Sequence, residues 1–511
     1  MTDTSANNKR IAKNTLLLYI RMLFLMAVSL YTSRVVLQAL GVEDFGIYNV
    51  VGGIVAMFGF LNAAMASSTQ RYLTFALGRG DADCLRKVFN TSIIIHALIS
   101  LLVVLLAETV GLWFFYQKMV IPPDRLDAAM WVYQFSVLSS VVMIMSVPYN
   151  SAIIAHERMS AFAYISILEV LLKLLIVFLL RVVSFDRLAF YALLIFMVQL
   201  GIRFIYSLYC SRHFEETKFC WTWDRPLFRE MLSFAGWNLW GNCAAVAFTQ
   251  GVNLLLNMFF GPVVNAARGI AVQVQATVQQ FSSNFQTAVN PQITKSYAVQ
   301  DYDYMHSLIF RSSKFTFFLL LLLSLPVMLE TDLLLKVWLE TVPDYTVVFL
   351  RLMLCITIVD GVAGPLMVSA AATGRVRLYQ GVVGGVLLCI LPMSYLVLKL
   401  GGNPASVFLV HLGICLLAFI VRLFIIRPMI RLSLRDYSSQ VVVPCLLVAA
   451  ISVLFPFLLR CLLNEGIVRF ILIIISCVIC VSFTAYRMGL SKSERRFVLD
   501  RLQIFISKFR R

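Results

Sequence analysis

Apolar runs about as long as a membrane crossing repeat along the whole chain, separated by short segments carrying charges, Gly or Pro. A bilayer-crossing helix needs about 20 predominantly apolar residues at 1.5 Å rise per residue. Lipid offers backbone groups no water, so runs of this length form helices. The pattern predicts spans at 14–38, 45–72, 89–113, 127–149, 161–181, 188–210, 228–260, 263–292, 309–330, 345–372, 379–398, 405–427, 438–460 and 467–487. The predicted fold class is an all-α polytopic membrane protein with about fourteen transmembrane helices. The pair 228–260 and 263–292 is unusually polar for its length.

Composition agrees with this class. The 511 residues are 60% hydrophobic and 14% charged, whereas soluble domains carry about 25% charged residues. The net charge of +17 comes from 43 Lys+Arg against 26 Asp+Glu. Its distribution argues against nucleic acid, because the basic residues mostly lie between apolar runs without an aromatic-basic recognition module. With the N-terminus cytoplasmic, 27 basic residues fall on the inner side and eight on the outer. This is the positive-inside pattern, and it places both termini in the cytoplasm. The first apolar run outlasts a signal-peptide core and has no small-residue cleavage site, so it is read as a retained helix. Cys477 and Cys480 form a CxxC inside a predicted span, without a second pair or a nearby His, and read as small apolar residues.

Every loop is short, which leaves little room for the water-facing domain that membrane sugar-joining enzymes use. Shifting the chain by 220 residues aligns Gly41 with Gly261, Asp81 with Asp301 and Asp83 with Asp303. Six helices separate the copies, so the halves share one orientation, as in a parallel repeat. The expected organisation is a cytoplasmic N-tail at 1–13, an N-lobe at 14–215 and a C-lobe at 216–430. Two added helices follow at 431–490, then a basic cytoplasmic tail at 491–511.

With cations near span ends, Lys314 and Arg469 among them, counted with the loops, eight remain inside predicted spans: Arg21, Arg34, Arg71, Lys173, Arg203, Arg268, Arg351 and Arg422. A charge at mid-bilayer costs about 3 kcal/mol on insertion scales, so it faces a cavity or a partner. Lys173 follows Glu169 by one turn, the favoured order for a helical ion pair. Arg34, Arg268 and Arg351 could instead snorkel outward, and Arg422 reads as interfacial. Few acids occur in the spans (Glu108, Glu169, Asp360), so the set leaves a net-positive interior. Guanidinium groups bind phosphate esters through paired, charge-assisted hydrogen bonds.

The seventh predicted helix aligns Asn238, Asn242, Thr249, Asn253 and Asn257 on one face. The eighth aligns Arg268, Gln275, Gln279, Gln286 and Asn290. Interhelical glue is one use for such amides; a polar cavity wall for sugar hydroxyls is the other. The candidate binding residues are therefore Arg21, Arg34, Arg71, Lys173, Arg203, Arg268, Asn242, Asn253, Gln275, Gln279 and Gln286.

No Walker A, GxGxxG, HExxH or GxSxG motif occurs. The two DxD segments (Asp81, Asp83; Asp301, Asp303) imitate the metal-binding motif of sugar transferases, but both begin predicted helices, where acids cap N-termini. Neither catalytic residues, a metal nor a cofactor is expected. Without an ATP site, any pumping would draw on an ion gradient (H⁺ or Na⁺), the membrane potential or the substrate's own gradient.

Three stretches carry a family resemblance: NTLLLYIRMLFLMAVSLYTSRVVLQALGVEDFGIYNVVGG near the N-terminus, PYNSAIIAHERMSAFAYISILE at 148–169, and AATGRVRLYQ at 371–380. Together they resemble the polysaccharide repeat-unit flippases of the multidrug/oligosaccharidyl-lipid/polysaccharide exporter superfamily. The resemblance implies two six-helix lobes plus two helices. It also implies alternating access that carries an undecaprenyl-pyrophosphate-linked oligosaccharide across the bacterial inner membrane, for surface polysaccharide biosynthesis beside glycosyltransferases and a polymerase. Cavity cations would meet the pyrophosphate, a role that suits Arg21, Arg34, Arg71 and Arg268. A drug or cation antiporter of the same fold would need lumen carboxylates, and a peptidoglycan-precursor flippase would share the chemistry.

Overall fold

The computed structural model describes residues 4–56, 59–118, 121–180, 186–218, 220, 224–260, 262–338, 342–491 and 494–495. Some side chains within its first, second, seventh and eighth helices, Arg34 and Asn257 among them, lie outside the described residues. So does most of the basic tail at 491–511.

The helices follow the predicted runs closely. They are α1 Thr4–Ala56, α2 Gly59–Arg79, α3 Ala82–Gln117, α4 Leu126–Ala155, α5 Met159–Leu179, α6 Arg187–His213, α7 Arg225–Phe260 and α8 Pro262–Ala298. Then come α9 Tyr302–Leu329, α10 Thr346–Ala372, α11 Val376–Lys399, α12 Ser406–Ile430, α13 Leu434–Leu462 and α14 Ile467–Gly489. A short helix, Thr331–Trp338, follows α9. Among the described residues, 11 helices are long and apolar enough to cross a membrane. That is fewer than the fourteen expected, because α2, α7 and α8 fall outside the apolar set. The protein is an all-α, multi-pass membrane protein.

The first two spans differ from the sequence reading, the predicted span 45–72 being divided between α1 and α2. The break expected between 38 and 45 is continuous helix, since α1 runs 53 residues to Ala56. The GVED segment holds no proline to stop it, and Asp44 within it is held by Arg125, whose Nε donates at 2.8 Å. Arg125 also pairs with Asp186, the N-cap of α6. Burial pushes the Asp186 carboxyl up, but hydrogen bonds from Ala189 N–H, Arg125 and Leu188 N–H outweigh it and hold its pKa below the ordinary value.

The chain divides into two compact units. Unit 1 is Met1–Cys243 with Thr294–Gln300; unit 2 is Ala244–Ile293 with Asp301–Arg511. Unit 1 is centred on α4, which packs along α6, α2 and α3, while α1 lies on α5. Unit 2 is built on α10, which packs against α9 and α12, with α13 and α14 against each other and against α9.

Turn chemistry explains several connections. Asp81 caps α3 by accepting from Cys84 N–H at 2.9 Å, and Asp301 caps α9 by accepting from Tyr304 N–H at 3.1 Å. Both DxD segments are thus helix starts, with Asp83 and Asp303 in the first turns. Gly80 precedes the first cap at φ +70°, but Gln300 precedes the second at φ +60°. Glu157, between α4 and α5, likewise sits at φ +58°. A side chain in this region costs about 1–2 kcal/mol.

Buried ion pairs fasten the last helix, α14, to α9 at both of its ends. Arg469, at the start of α14, meets Glu330, the C-cap of α9, at 2.9 Å, with side chains 8% and 1% exposed. At the other end of α14, Glu494 accepts from Lys314 of α9 at 2.7 Å. Phe318 of α9 packs against Gly489, where an added Cβ would lie 2.3 Å from its ring. Lys314 and Arg469, which read as loop cations setting topology, are therefore buried in ion pairs.

Candidate functional site

In unit 1 the candidate cations come from α1, α2, α5 and α6. Arg21 lies on α1 with its guanidinium 4.4 Å above the Phe162 ring of α5. Its Nε is buried without a hydrogen-bond partner. Tyr206 of α6 and Glu169 of α5 reach it only through space, because Glu169 is already engaged by Lys173 at 2.6 Å. The helical Glu169–Lys173 pair expected from spacing is therefore formed. A guanidinium above an aromatic face gains up to about 2 kcal/mol when desolvated, yet that leaves its N–H donors available.

Arg203, on α6, donates to the Met145 carbonyl and lies 5.0 Å from the Tyr149 ring. Both contacts flank Pro148, which interrupts the hydrogen-bond ladder of α4. Arg71 is buried on α2 against the rings of Tyr72, Phe75 and Phe234, at 4.3, 5.0 and 5.4 Å. Tyr72 in turn donates to Glu230 at 2.9 Å. Asn242 is half-buried in this unit.

In unit 2, Arg268 of α8 is 9% exposed. It donates to Asn253 Oδ1 at 3.2 Å and to the Thr249 carbonyl at 2.9 Å, both on α7. Its Nε is buried without a hydrogen-bond partner. Nearby, His411 of α12 packs 5.2 Å from the Phe248 ring. The acceptors around Arg268 are neutral, so its positive charge is solvated by dipoles and not cancelled.

The amide faces divide by use. Gln275 donates to Thr357 Oγ1 at 2.9 Å, and Gln286 donates to the Gly361 carbonyl at 3.3 Å, both on α10. A Cβ at Gly364 would lie 2.2 Å from the Gln286 amide, so that glycine makes room for the contact. These two glutamines act as interhelical glue. Gln279 is exposed, and Asn253 is occupied by Arg268. Asn242 and Asn253 fall in different units, so the α7 face is not one wall within either unit.

Tertiary contacts also answer cations that looked isolated along the chain. Arg351 pairs with Asp332 of the short helix at 2.9 Å, and Arg422 lies 3.7 Å from Asp360. These partners are many turns away in sequence and gave no local signal. Among the described residues, Arg21, Arg203 and Arg268 have no carboxylate within ion-pair distance, which makes them the net-positive part of the spans.

No known protein-family profile matches the chain. A curated sequence relative, flagella accessory protein J of Methanocaldococcus jannaschii, is 30% identical over 90 residues, which is 18% of this chain and 15% of that protein. Solved structures match over most of the length. An outward-facing multidrug resistance MATE family transporter of the MOP superfamily aligns with a TM-score of 0.71 at 12% identity, over 83% of this chain and 96% of its own. The MATE transporter ClbM in complex with Rb⁺ gives 0.70 at 14%, over 84% and 96%. A MOP superfamily transporter from Pyrococcus furiosus, whose binding pocket of reverse polarity suggests a different function, gives 0.69 at 13%, over 83% and 96%. The chain has the MATE-like fold seen in these MOP superfamily structures.

Proposed function

We propose that this protein is a flippase that moves undecaprenyl-pyrophosphate-linked oligosaccharide units across a bacterial inner membrane by alternating access, with both termini cytoplasmic. The observation that carries the reading is the set of intramembrane guanidinium groups without carboxylate partners, Arg21 above all. Each uncompensated charge is costly in a bilayer, and a pyrophosphate is a guest that would repay that cost. Arg268, held by neutral acceptors, is the second anchor. Arg71 and Arg203 extend the cationic character of unit 1, with Lys173 partly committed to Glu169. Gln279 and Asn242 are the amides that would meet sugar hydroxyls, Asn253 being taken by Arg268; Gln275 and Gln286 hold helices together.

A cationic-drug antiporter is the poorer fit. Asp360 and Glu169, carboxylates that could attract such a guest, already face Arg422 and Lys173. The Pyrococcus transporter shows that one MOP fold can carry pockets of differing polarity. The test is reconstitution of the full chain in liposomes with a fluorescent polyprenyl-pyrophosphate oligosaccharide. Transbilayer movement that stops when Arg21 and Arg268 are both replaced by Ala supports the reading. Ethidium efflux without lipid movement would overturn it, in favour of the antiporter.

A further inference from the structure

Glu157 occupies the turn between α4 and α5 with its side chain 0% exposed and a φ of +58°. The corresponding turn between α10 and α11 has Gly374 at φ +76°. The residues that follow match in backbone: Arg158 at φ −83°, ψ 56° and Arg375 at φ −93°, ψ 60°. Glycine therefore satisfies the turn, and a strained glutamate there calls for a second reason.

That reason lies in its carboxylate. Oε2 is 2.7 Å from Arg10 Nε of α1, and Oε1 accepts from Lys295 Nζ of α8 at 2.7 Å. Asn14 of α1 donates to the Glu157 carbonyl at 3.3 Å. The last turns of α8 press on α2 beside this pair. A Cβ at Gly78 would lie 2.9 Å from Ala298 Cβ and 3.0 Å from Lys295 Cα, and the rings of Phe75 and Tyr297 are 6.4 Å apart. These contacts fall within unit 1, which takes only residues 294–300 of the end of α8 and its turn.

We propose that Glu157 is a releasable latch, a positioning residue that grips Lys295 in one state of the transport cycle and lets it go in the other. Two features distinguish it from a permanent tie. First, in the pairs that fasten α14 to α9, both side chains are nearly inaccessible: 5% and 5% for Lys314–Glu494, 8% and 1% for Arg469–Glu330. Here only the carboxylate is buried; Lys295 is 23% exposed and Arg10 47%, so the departing ammonium can be rehydrated. Second, one carboxylate carries two cations. Arg10 keeps the buried charge compensated after Lys295 leaves, which removes the usual penalty for breaking a buried pair.

The inference rests on the transport reading, and its test has a readout independent of substrate. Ala298→Cys, 8% exposed beneath Gly78, is labelled in the full-length protein with a water-soluble maleimide, and the native-thiol background is subtracted. Glu157→Gln and Lys295→Gln should each raise the labelling rate about tenfold or more, and Lys295→Arg should restore it. Gly78→Val, which pushes on the α8 backbone without touching the charges, should act in the same direction. Phe75→Cys with Tyr297→Cys, cross-linked by a short bifunctional reagent, should stop lipid-linked sugar movement until reduced. Unchanged labelling in both glutamine variants, or full transport by the cross-linked protein, overturns the latch. If no form of the protein moves lipid-linked sugar, the functional reading fails while the labelling still decides the latch.

Discussion

The two halves of the chain make the same turns with different residues. Before α3 the left-handed position is Gly80, and before α9 it is Gln300; an aspartate then caps each helix. Between α4 and α5 the residue is Glu157, and between α10 and α11 it is Gly374. Helix interruptions match too, with Pro148 in α4 and Pro365 in α10. Backbone geometry at these positions is what the halves share, while side-chain charge is where they part. The first half keeps Arg21 above an aromatic ring with no acceptor on its Nε; the second surrounds Arg268 with neutral oxygens. In the second half the buried Lys314–Glu494 and Arg469–Glu330 pairs join α9 to α14, a helix with no counterpart in the first.

The sharpest way to break this comparison is at the two arginines. A charge-assisted hydrogen bond contributes about 1.5–3 kcal/mol, so Arg21→Ala with Arg268→Ala should slow transport about a hundredfold or more. If the halves contribute equally, each single variant should show part of that loss in a liposome assay; a loss confined to one variant would place the anion in one half only.

Next in size is Glu330→Ala, which strands Arg469 in a buried site and should cost about 3–5 kcal/mol, read as a lowered melting temperature in detergent. Lys173→Ala should cost less by the same measurement, because that pair, about 30% exposed at both ends, is far less enclosed than Arg469–Glu330. A large loss there would mean that Lys173 does more than pair with Glu169.

The caps offer a symmetric pair. Asp81→Ala and Asp301→Ala should each destabilise by about 1 kcal/mol, and chelators should leave transport unchanged. Chelator sensitivity would revive a metal role for these aspartates. Smaller still, Gln300→Gly should raise the melting temperature slightly by relieving a left-handed side chain, and Gly374→Ala should lower it.

The smallest effect is a pH dependence. Burial raises the Glu494 carboxyl pKa, but hydrogen bonds from Lys314 and the Ser491 N–H outweigh it and hold it below the ordinary glutamate value. A group whose folded pKa is lowered contributes its stability above the unfolded value and loses it as pH falls through the folded one. Melting temperature should therefore drop on acidification below the ordinary glutamate range, and Glu494→Gln should flatten that part of the profile.

Most of the fold was legible along the chain. Apolar runs end where helices end, because a bilayer-crossing backbone has no alternative to helix, and the two aspartates were recognisable as caps from their position. The continuous α1 was not legible, since the GVED segment is stopped or carried through by what holds Asp44. Local spacing also revealed Glu169–Lys173, because four residues is one helical turn. It could not reveal Asp332 beside Arg351, Asp360 near Arg422, or Glu157 between Arg10 and Lys295, whose members are brought together only by helix packing.

The sequence by itself determined class, helix positions and an excess of intramembrane positive charge, all consequences of what lipid does to exposed polar groups. Only the tertiary structure decided which of those charges remain uncompensated. An ion pair depends on a few ångströms between side chains far apart in sequence, and hydrophobic periodicity fixes which face of a helix is apolar without fixing which charge that face will meet.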